Sequence, residues 1–221
     1  MKCARLWYKK SGMAIYTSHL DMNRCFSKAV TRADIPLWYT EGFNPHPYMT
    51  FLAPLALGQS AKREPIDIKL EDDEITFDRV KSRLNAVLPE GLEIVDVTEG
   101  RMKPGEIAKA KYKIRCFFIC EADAVSFRKN ALNVLNSGEM FAEKRSKRGV
   151  KTVNLCPMVS KCVITAVDSL AVVEAVLSAG NNENLNPQLF IETLAQYSES
   201  EFDDIDIIRQ SLLTESGELF E

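Results

Sequence analysis

The chain has 221 residues, which at roughly 100 to 200 residues per domain makes one large domain or two small ones, with enough chain for a core. Its 46% hydrophobic and 27% charged residues sit near globular averages and exclude a wholly disordered, collagenous or coiled-coil protein. Twenty-eight Lys plus Arg against thirty-one Asp plus Glu leave a net charge of -3, so any surface for nucleic acid has to be local.

From Ala4 to Lys9 apolar and aromatic residues read as a strand, closed by the turn Lys9-Lys10-Ser11-Gly12. Ser18 followed by Asp21 is a capping-box-like pair, and Met22, Phe26, Ala29, Val30 and Ala33 recur at helical spacing, which predicts a helix over 19–33. Pro36 opens a second strand, Leu37 to Tyr39; Gly42 to Pro47 is a loop, and Met49 to Leu52 is extended again. Ile66 to Leu70 alternates as a half-buried strand, Thr76 caps a helix bearing Phe77, Val80 and Leu84, and Leu92 to Val97 alternates again.

A polar connector, Glu99 to Lys109, contains Pro104-Gly105 and is the best boundary between halves 1–103 and 104–221. A similar order follows it. Tyr112 to Cys120 is β-prone; Asp123 opens a helix; Met140 to Lys144 and Val150 to Leu155 are extended around a basic turn. Ser160 to Ala166 and Ala171 to Leu177 form a hairpin about Asp168-Ser169, Asn186-Pro187 caps a last helix, and Ile205 to Ile208 closes the sheet before a frayed end. The expectation is an α+β protein of two ferredoxin-like β-α-β-β-α-β halves with mainly antiparallel sheets.

No apolar run approaches the roughly 18 residues of a membrane span, and the opening Met1-Lys2-Cys3-Ala4-Arg5-Leu6-Trp7 reads as neither signal nor transit peptide. A cytoplasmic protein with no membrane partner is expected. The six cysteines, at 3, 25, 116, 120, 156 and 162, are too irregular for a disulfide framework and fit a reducing compartment. Without C-x-x-C or C-x-x-x-C-x-x-C, neither a zinc ribbon nor a three-cysteine iron-sulfur loop assembles locally, so no metal or cofactor is expected. Cys116 and Cys120 would share a strand face roughly 13 Å apart, too far for one metal ion, and read as buried thiols.

The densest polar constellation is Ser18-His19-Leu20-Asp21 with Arg24, and Glu41-Gly42-Phe43-Asn44-Pro45-His46-Pro47. It holds both histidines of the chain, His19 and His46, the candidates for acid–base catalysis, since imidazole beside a carboxylate exchanges protons near neutrality. Ser18, His19, Asp21, Arg24, Glu41, Phe43, Asn44 and His46 are the candidate binding residues. Ser18 and Asp21 also suffice as a plain helix cap, and Asn44-Pro45 as a plain turn. A second candidate is the cluster Lys144, Arg145, Lys147, Arg148 and Lys151, whose cations on a hairpin can track a phosphate backbone. The same lysines would also keep an edge strand soluble. Arg24, Lys28 and Arg32, at i, i+4 and i+8, extend the basic surface or form an ordinary exposed helix face. Trp7, Trp38 and Tyr39 are base-stacking candidates that strands more often place in the core.

SHLD, Arg24, Leu37 to Tyr39 with EGFNPHP, and the later APLALG together resemble the radical-SAM-associated (radical-SAM-linked) domain of unknown function family. The likeness covers nearly the whole chain and ends in a helix preceded by a G-N-x-x-P-like stretch, here Gly180 to Pro187 with inserted Asn and Glu. The resemblance implies a radical-SAM protein as partner and an RNA-processing context, without any catalytic assignment. The expected function is an accessory protein of a radical-SAM enzyme that binds or presents RNA. The alternatives are an RNA-acting enzyme using His19 or His46, and a protein-docking module without RNA contact.

Overall fold

The computed structural model describes residues 2–146 and 149–221. Two compact units divide the chain: Met1–Pro104 with Phe220–Glu221, and Gly105–Leu219.

The first unit comprises β1 (Lys2–Lys10), α1 (His19–Arg32), β2 (Met49–Phe51), β3 (Ser60–Leu70), α2 (Phe77–Asn85) and β4 (Leu92–Thr98). Its sheet runs β4-β1-β3-β2, with every pair antiparallel. Ser18 starts α1 because its extended backbone lets Oγ accept the Asp21 N–H at 3.2 Å. The Ser18 hydroxyl in turn donates to Asp21 Oδ2 at 2.7 Å. Alternation in β1 turns Ala4, Leu6 and Tyr8 to one face, where they join Ile66, Ile68 and Leu70 of β3 and Ile94 of β4. Met22, Phe26 and Val30 of α1, and Val80 and Leu84 of α2, close over that face. Each large apolar side chain buried there contributes about 1.5–3 kcal/mol.

The opposite face of β1 carries Arg5 and Trp7, which are 1% and 2% exposed. Phe220 meets the Trp7 ring edge-on at 6.2 Å, and Arg63 lies 3.9 Å over the same indole. Trp7 is thus filled by packing on both sides and is closed to a base. The tail ends docked, with Phe220 1% exposed, where fraying was expected. An aromatic side chain of that size is held by the apolar surface of Trp7 rather than left in water.

Leu37 to Tyr39 does not form the expected strand. Leu37 makes a single bridge to Leu70 and Tyr39 a single bridge to Pro47. Pro36, Pro45 and Pro47 lack N–H donors, so a ladder cannot propagate there, and the sheet's edge is supplied by Met49–Phe51.

The second unit comprises β5 (Lys109–Phe117), α3 (Glu121–Ser137), β6 (Phe141–Ser146), β7 (Gly149–Asn154), β8 (Val159–Val167), β9 (Leu170–Ser178), α4 (Pro187–Tyr197) and β10 (Asp204–Leu213). β10-β5-β9-β8 pair antiparallel in that order, while β6 and β7 form a two-stranded sheet of their own. With β6 and β7 set aside, both units have the element order β-α-β-β-α-β, and the protein is α+β with mainly antiparallel strands. Tyr112 and Ile114 of β5, Val173 and Leu177 of β9, Phe127 and Ala131 of α3, and Phe190 and Leu194 of α4 are all buried. α3 begins at Glu121, with Cys120 in the N-cap position, two residues before Asp123. Cys116 is buried, but Cys120 is exposed and its thiol donates to Asp123 Oδ2 at 3.1 Å. The expectation of two buried thiols fails because the chain leaves the sheet at Phe117.

Candidate nucleic-acid interface

Lys144, Arg145 and Lys151 of the basic cluster lie on the β6–β7 ribbon. Its base is held by Asn154, whose Oδ1 accepts the N–H groups of Met140 and Cys156 at 3.1 Å each and whose Nδ2 donates to the Gly138 carbonyl at 2.8 Å. Met140 and Leu155, joined by a 2.7 Å backbone bond, are fully buried, and the Tyr197 hydroxyl accepts the Phe141 N–H at 3.1 Å. Beyond that anchor the ribbon has two strands among the described residues, and Gly149 to Thr152 are exposed. Lys144 and Lys151 are direct cross-strand partners, as are Arg145 and Val150. Like charges facing each other across a ladder oppose pairing, so this ribbon carries a repulsion that a polyanion would relieve. Lys147 and Arg148 lie outside the described residues.

Lys144 Nζ donates to the Asn184 carbonyl at 2.7 Å, tying the ribbon to the loop before α4. That loop is the Gly180 to Pro187 stretch. It is shaped by Ser178, whose hydroxyl donates to Glu183 Oε2 at 2.7 Å, and by the Ala179–Asn184 bridge. Asn186 then caps α4 by accepting the Gln188 N–H at 3.0 Å, with Pro187 as the first helical residue. Between ribbon and helix start lies an open cavity of about 750 Å³, lined by Glu143, Lys144, Asn184, Asn186, Gln188, Leu189 and Glu192. Its amides and Lys144 can donate to phosphate or sugar oxygens, and its two glutamates disfavour a bare anion.

The SHLD and EGFNPHP motifs each bond within themselves. At the start of α1, Asn23 Nδ2 lies 3.0 Å from His19 Nε2 and the imidazole stands edge-on to Phe51 at 5.3 Å. Arg24 pairs with Asp21 at 3.3 Å. Glu41 to His46 form the tip of a hairpin that starts at Trp38, whose carbonyl accepts the Tyr48 N–H at 2.8 Å. Thr40 N–H donates to the His46 carbonyl at 2.9 Å, Thr40 Oγ1 accepts the His46 N–H at 3.2 Å, and His46 Nδ1 sits 3.1 Å from Thr40 Oγ1 and 3.2 Å from the Asn44 carbonyl. Phe43, at 107% relative exposure, projects from the tip.

Neither imidazole bonds a carboxylate among the described residues. The hairpin lies along the second half of α1, since Tyr39 and Pro47 line a cavity with Ser27, Lys28, Thr31 and Arg32. Those helix residues are about 12–20 Å along the axis from His19 at 1.5 Å per residue. In the sequence, Lys28 and Arg32 already read as part of a basic helix face and Tyr39 as a base-stacking candidate, but nothing there brought them together with Ser27, Thr31 and Pro47 around one cavity. Among the described residues no group of three His, Cys, Asp or Glu side chains is placed to hold a metal ion, and no helix is long and apolar enough to cross a membrane.

Fold and surface together define an α+β protein with a cationic two-stranded ribbon inserted between the first helix and second sheet strand of its second unit. A family described as "Uncharacterized protein conserved in bacteria (DUF2344)" matches residues 4–187, and the chain belongs to that family. No curated protein matches it. Among solved structures it is similar to a crystal structure of an unknown protein from Galdieria sulphuraria, at 12% identity over 94% of this chain and 98% of that one, with a TM-score of 0.26.

Proposed function

We propose that the protein is an accessory RNA-binding protein that binds RNA or presents it to a radical-SAM enzyme. The observation that carries the RNA part is the β6–β7 ribbon, where Lys144 and Lys151 face each other on a chain of net charge -3. A local concentration of cations in an otherwise acidic protein attracts a phosphate backbone by releasing its counterions. The radical-SAM part rests on the SHLD and EGFNPHP resemblance. A surface for such a protein partner is available in the first unit: Met13, Tyr16, Leu20 and Leu57 are 81%, 63%, 59% and 62% exposed, and the Gly58 N–H donates to the Ile15 carbonyl at 2.9 Å, joining the segments that carry Met13, Tyr16 and Leu57, while Leu20 lies in the first turn of α1.

The test is a salt titration of single-stranded RNA binding with wild type and with Lys144, Arg145, Lys147, Arg148 and Lys151 all replaced by Ala. Each lost phosphate contact should flatten the log–log salt slope by about 0.7, so five contacts flatten it by about 3.5 while the melting temperature stays put. An unchanged slope and affinity leaves the ribbon a solvated loop. Purification of the native protein, with bound RNA sequenced and bound protein identified by mass spectrometry, tests the partner: recovery without any radical-SAM protein counts against that half of the reading.

A further inference from the structure

A cavity of about 510 Å³ between α1 and the EGFNPHP hairpin is lined by Ser27, Lys28, Thr31, Arg32, Tyr39 and Pro47. Among the described residues Arg5 pairs with Asp67, Arg24 with Asp21, Arg63 with Asp96, Arg83 with Asp34, Lys109 with Glu215 and Arg115 with Asp206. Lys28 and Arg32 form no ion pair and no side-chain hydrogen bond among the described residues, and both are exposed. No acidic residue lines the cavity they border. Opposite them stands Tyr39, 43% exposed, its backbone bridged to Pro47 so that the ring is presented by the base of the hairpin. The Ser27 hydroxyl adds a donor on the same side. Two unpaired cations beside an exposed aromatic ring match the two parts of a nucleotide, a phosphate and a base with a π face. The volume falls within the range of about 300–1,000 Å³ found for small-ligand clefts.

We infer that this groove binds one nucleotide of single-stranded RNA, with the phosphate held by Lys28 and Arg32 and the base stacked on Tyr39. The inference rests on the RNA-binding reading above but assigns a different surface. It also gives the EGFNPHP segment a role that needs no imidazole chemistry: Thr40, Asn44 and His46 close the hairpin that sets Tyr39 and Pro47 against α1.

The experiment follows backbone amide resonances of the full chain during titration with adenosine 5′-monophosphate, adenosine and inorganic phosphate, and compares them with an oligoadenylate. Saturable shifts confined to residues 27–32 and 39–47 are expected with the monophosphate, weaker ones with adenosine or phosphate alone, and tighter binding with the oligoadenylate, because RNA rather than the free nucleotide is the ligand. Tyr39→Leu should weaken the monophosphate and oligoadenylate by about five- to a hundredfold, as loss of one stacked base does, and leave phosphate unaffected. Lys28→Ala with Arg32→Ala should weaken all three phosphorylated probes. Because these side chains are exposed, tryptophan fluorescence of the variants should match wild type.

Shifts that inorganic phosphate reproduces across surface lysines at large, or oligoadenylate binding untouched by either variant, overturn the groove. Tighter binding of the monophosphate than of the oligoadenylate overturns RNA as its ligand. The ribbon variant separates the two readings. If it loses RNA binding while the groove variants keep it, the groove inference falls and the RNA-binding function stands; if wild type binds no oligoadenylate, both fall.

Discussion

Cys116 and Cys162 show how position in a strand decides what a side chain can do. Burial pushes both thiols up to about 12 from an ordinary value of 9.0, because a low-dielectric environment disfavours the thiolate. Cys3 and Cys120 are exposed. The thiolate is the reactive species, so iodoacetamide at pH 8 should modify Cys3 and Cys120 first and leave Cys116 and Cys162 intact in the folded protein, as read by peptide mass spectrometry. Early labelling of Cys116 would contradict its burial. The linkage has a definite sign. Folded thiols hold protons that the unfolded chain has lost above pH 9, so stability present below pH 9 declines as the pH climbs toward 12. The histidines make the same point about position, since Asn23 and Phe51 surround His19 while Thr40 and the Asn44 carbonyl surround His46. The two candidates for acid–base catalysis are engaged in two separate local structures.

At the scale of elements, one turn has a backbone and surroundings that only glycine fits. Gly91, in the turn between α2 and β4, adopts φ +87, and a Cβ added there would stand 2.4 Å from the Ser11 carbonyl oxygen and 2.9 Å from Ala14 Cβ. The close approach exists because the Ser11 N–H donates to the Gly91 carbonyl at 2.8 Å, fastening the end of β1 to the start of β4. Gly91→Ala should therefore destabilise the first unit by about 3 kcal/mol, combining an unfavourable backbone region with a displaced neighbour. Ser18→Ala, which removes only the α1 cap, should cost about 1 kcal/mol. Urea denaturation read by tryptophan fluorescence checks both, and equal midpoints for the two variants would refute the ranking. The ribbon is a different kind of element. An isolated two-stranded sheet is marginal by itself, so the Asn154 bonds and the buried pair Met140 and Leu155 hold it.

For the molecule as a whole, the first unit is not continuous in sequence, because Phe220 and Glu221 belong to it. Arg5, 1% exposed, binds both carboxylate oxygens of Asp67 at 2.7 and 3.1 Å, the Met102 carbonyl at 2.9 Å and the Glu221 backbone oxygen at 2.9 Å. A buried guanidinium is tolerable only when its donors are met in this way. Phe220 covers it, with Arg5 4.6 Å from the ring centroid. Phe220→Ala should lower the stability of the first unit by roughly 3 kcal/mol, in line with large-to-small changes at buried aromatic positions. Both tryptophans, Trp7 and Trp38, lie in this unit, so their fluorescence reports its unfolding directly. A midpoint equal to wild type would mean that the tail does not seal Trp7.

The residues alone were enough to read most of the local structure: the Ser18, Thr76 and Asn186 caps, the alternation of Ile66 to Leu70 and Leu92 to Val97, the hairpin at Asp168 and the mixed, mainly antiparallel α+β class. Those features depend on neighbours within a few positions, where periodicity and capping preferences act. Tertiary structure decided what distant segments meet. It reduced the strand expected at Leu37 to Tyr39 to single bridges, left Met49–Phe51 as the strand beside β3, seated Phe220 on Trp7 and set Tyr39 and Pro47 beside Lys28 and Arg32. Such meetings follow from which apolar faces are buried together across tens or hundreds of residues, a sum over the whole core that no local pattern records.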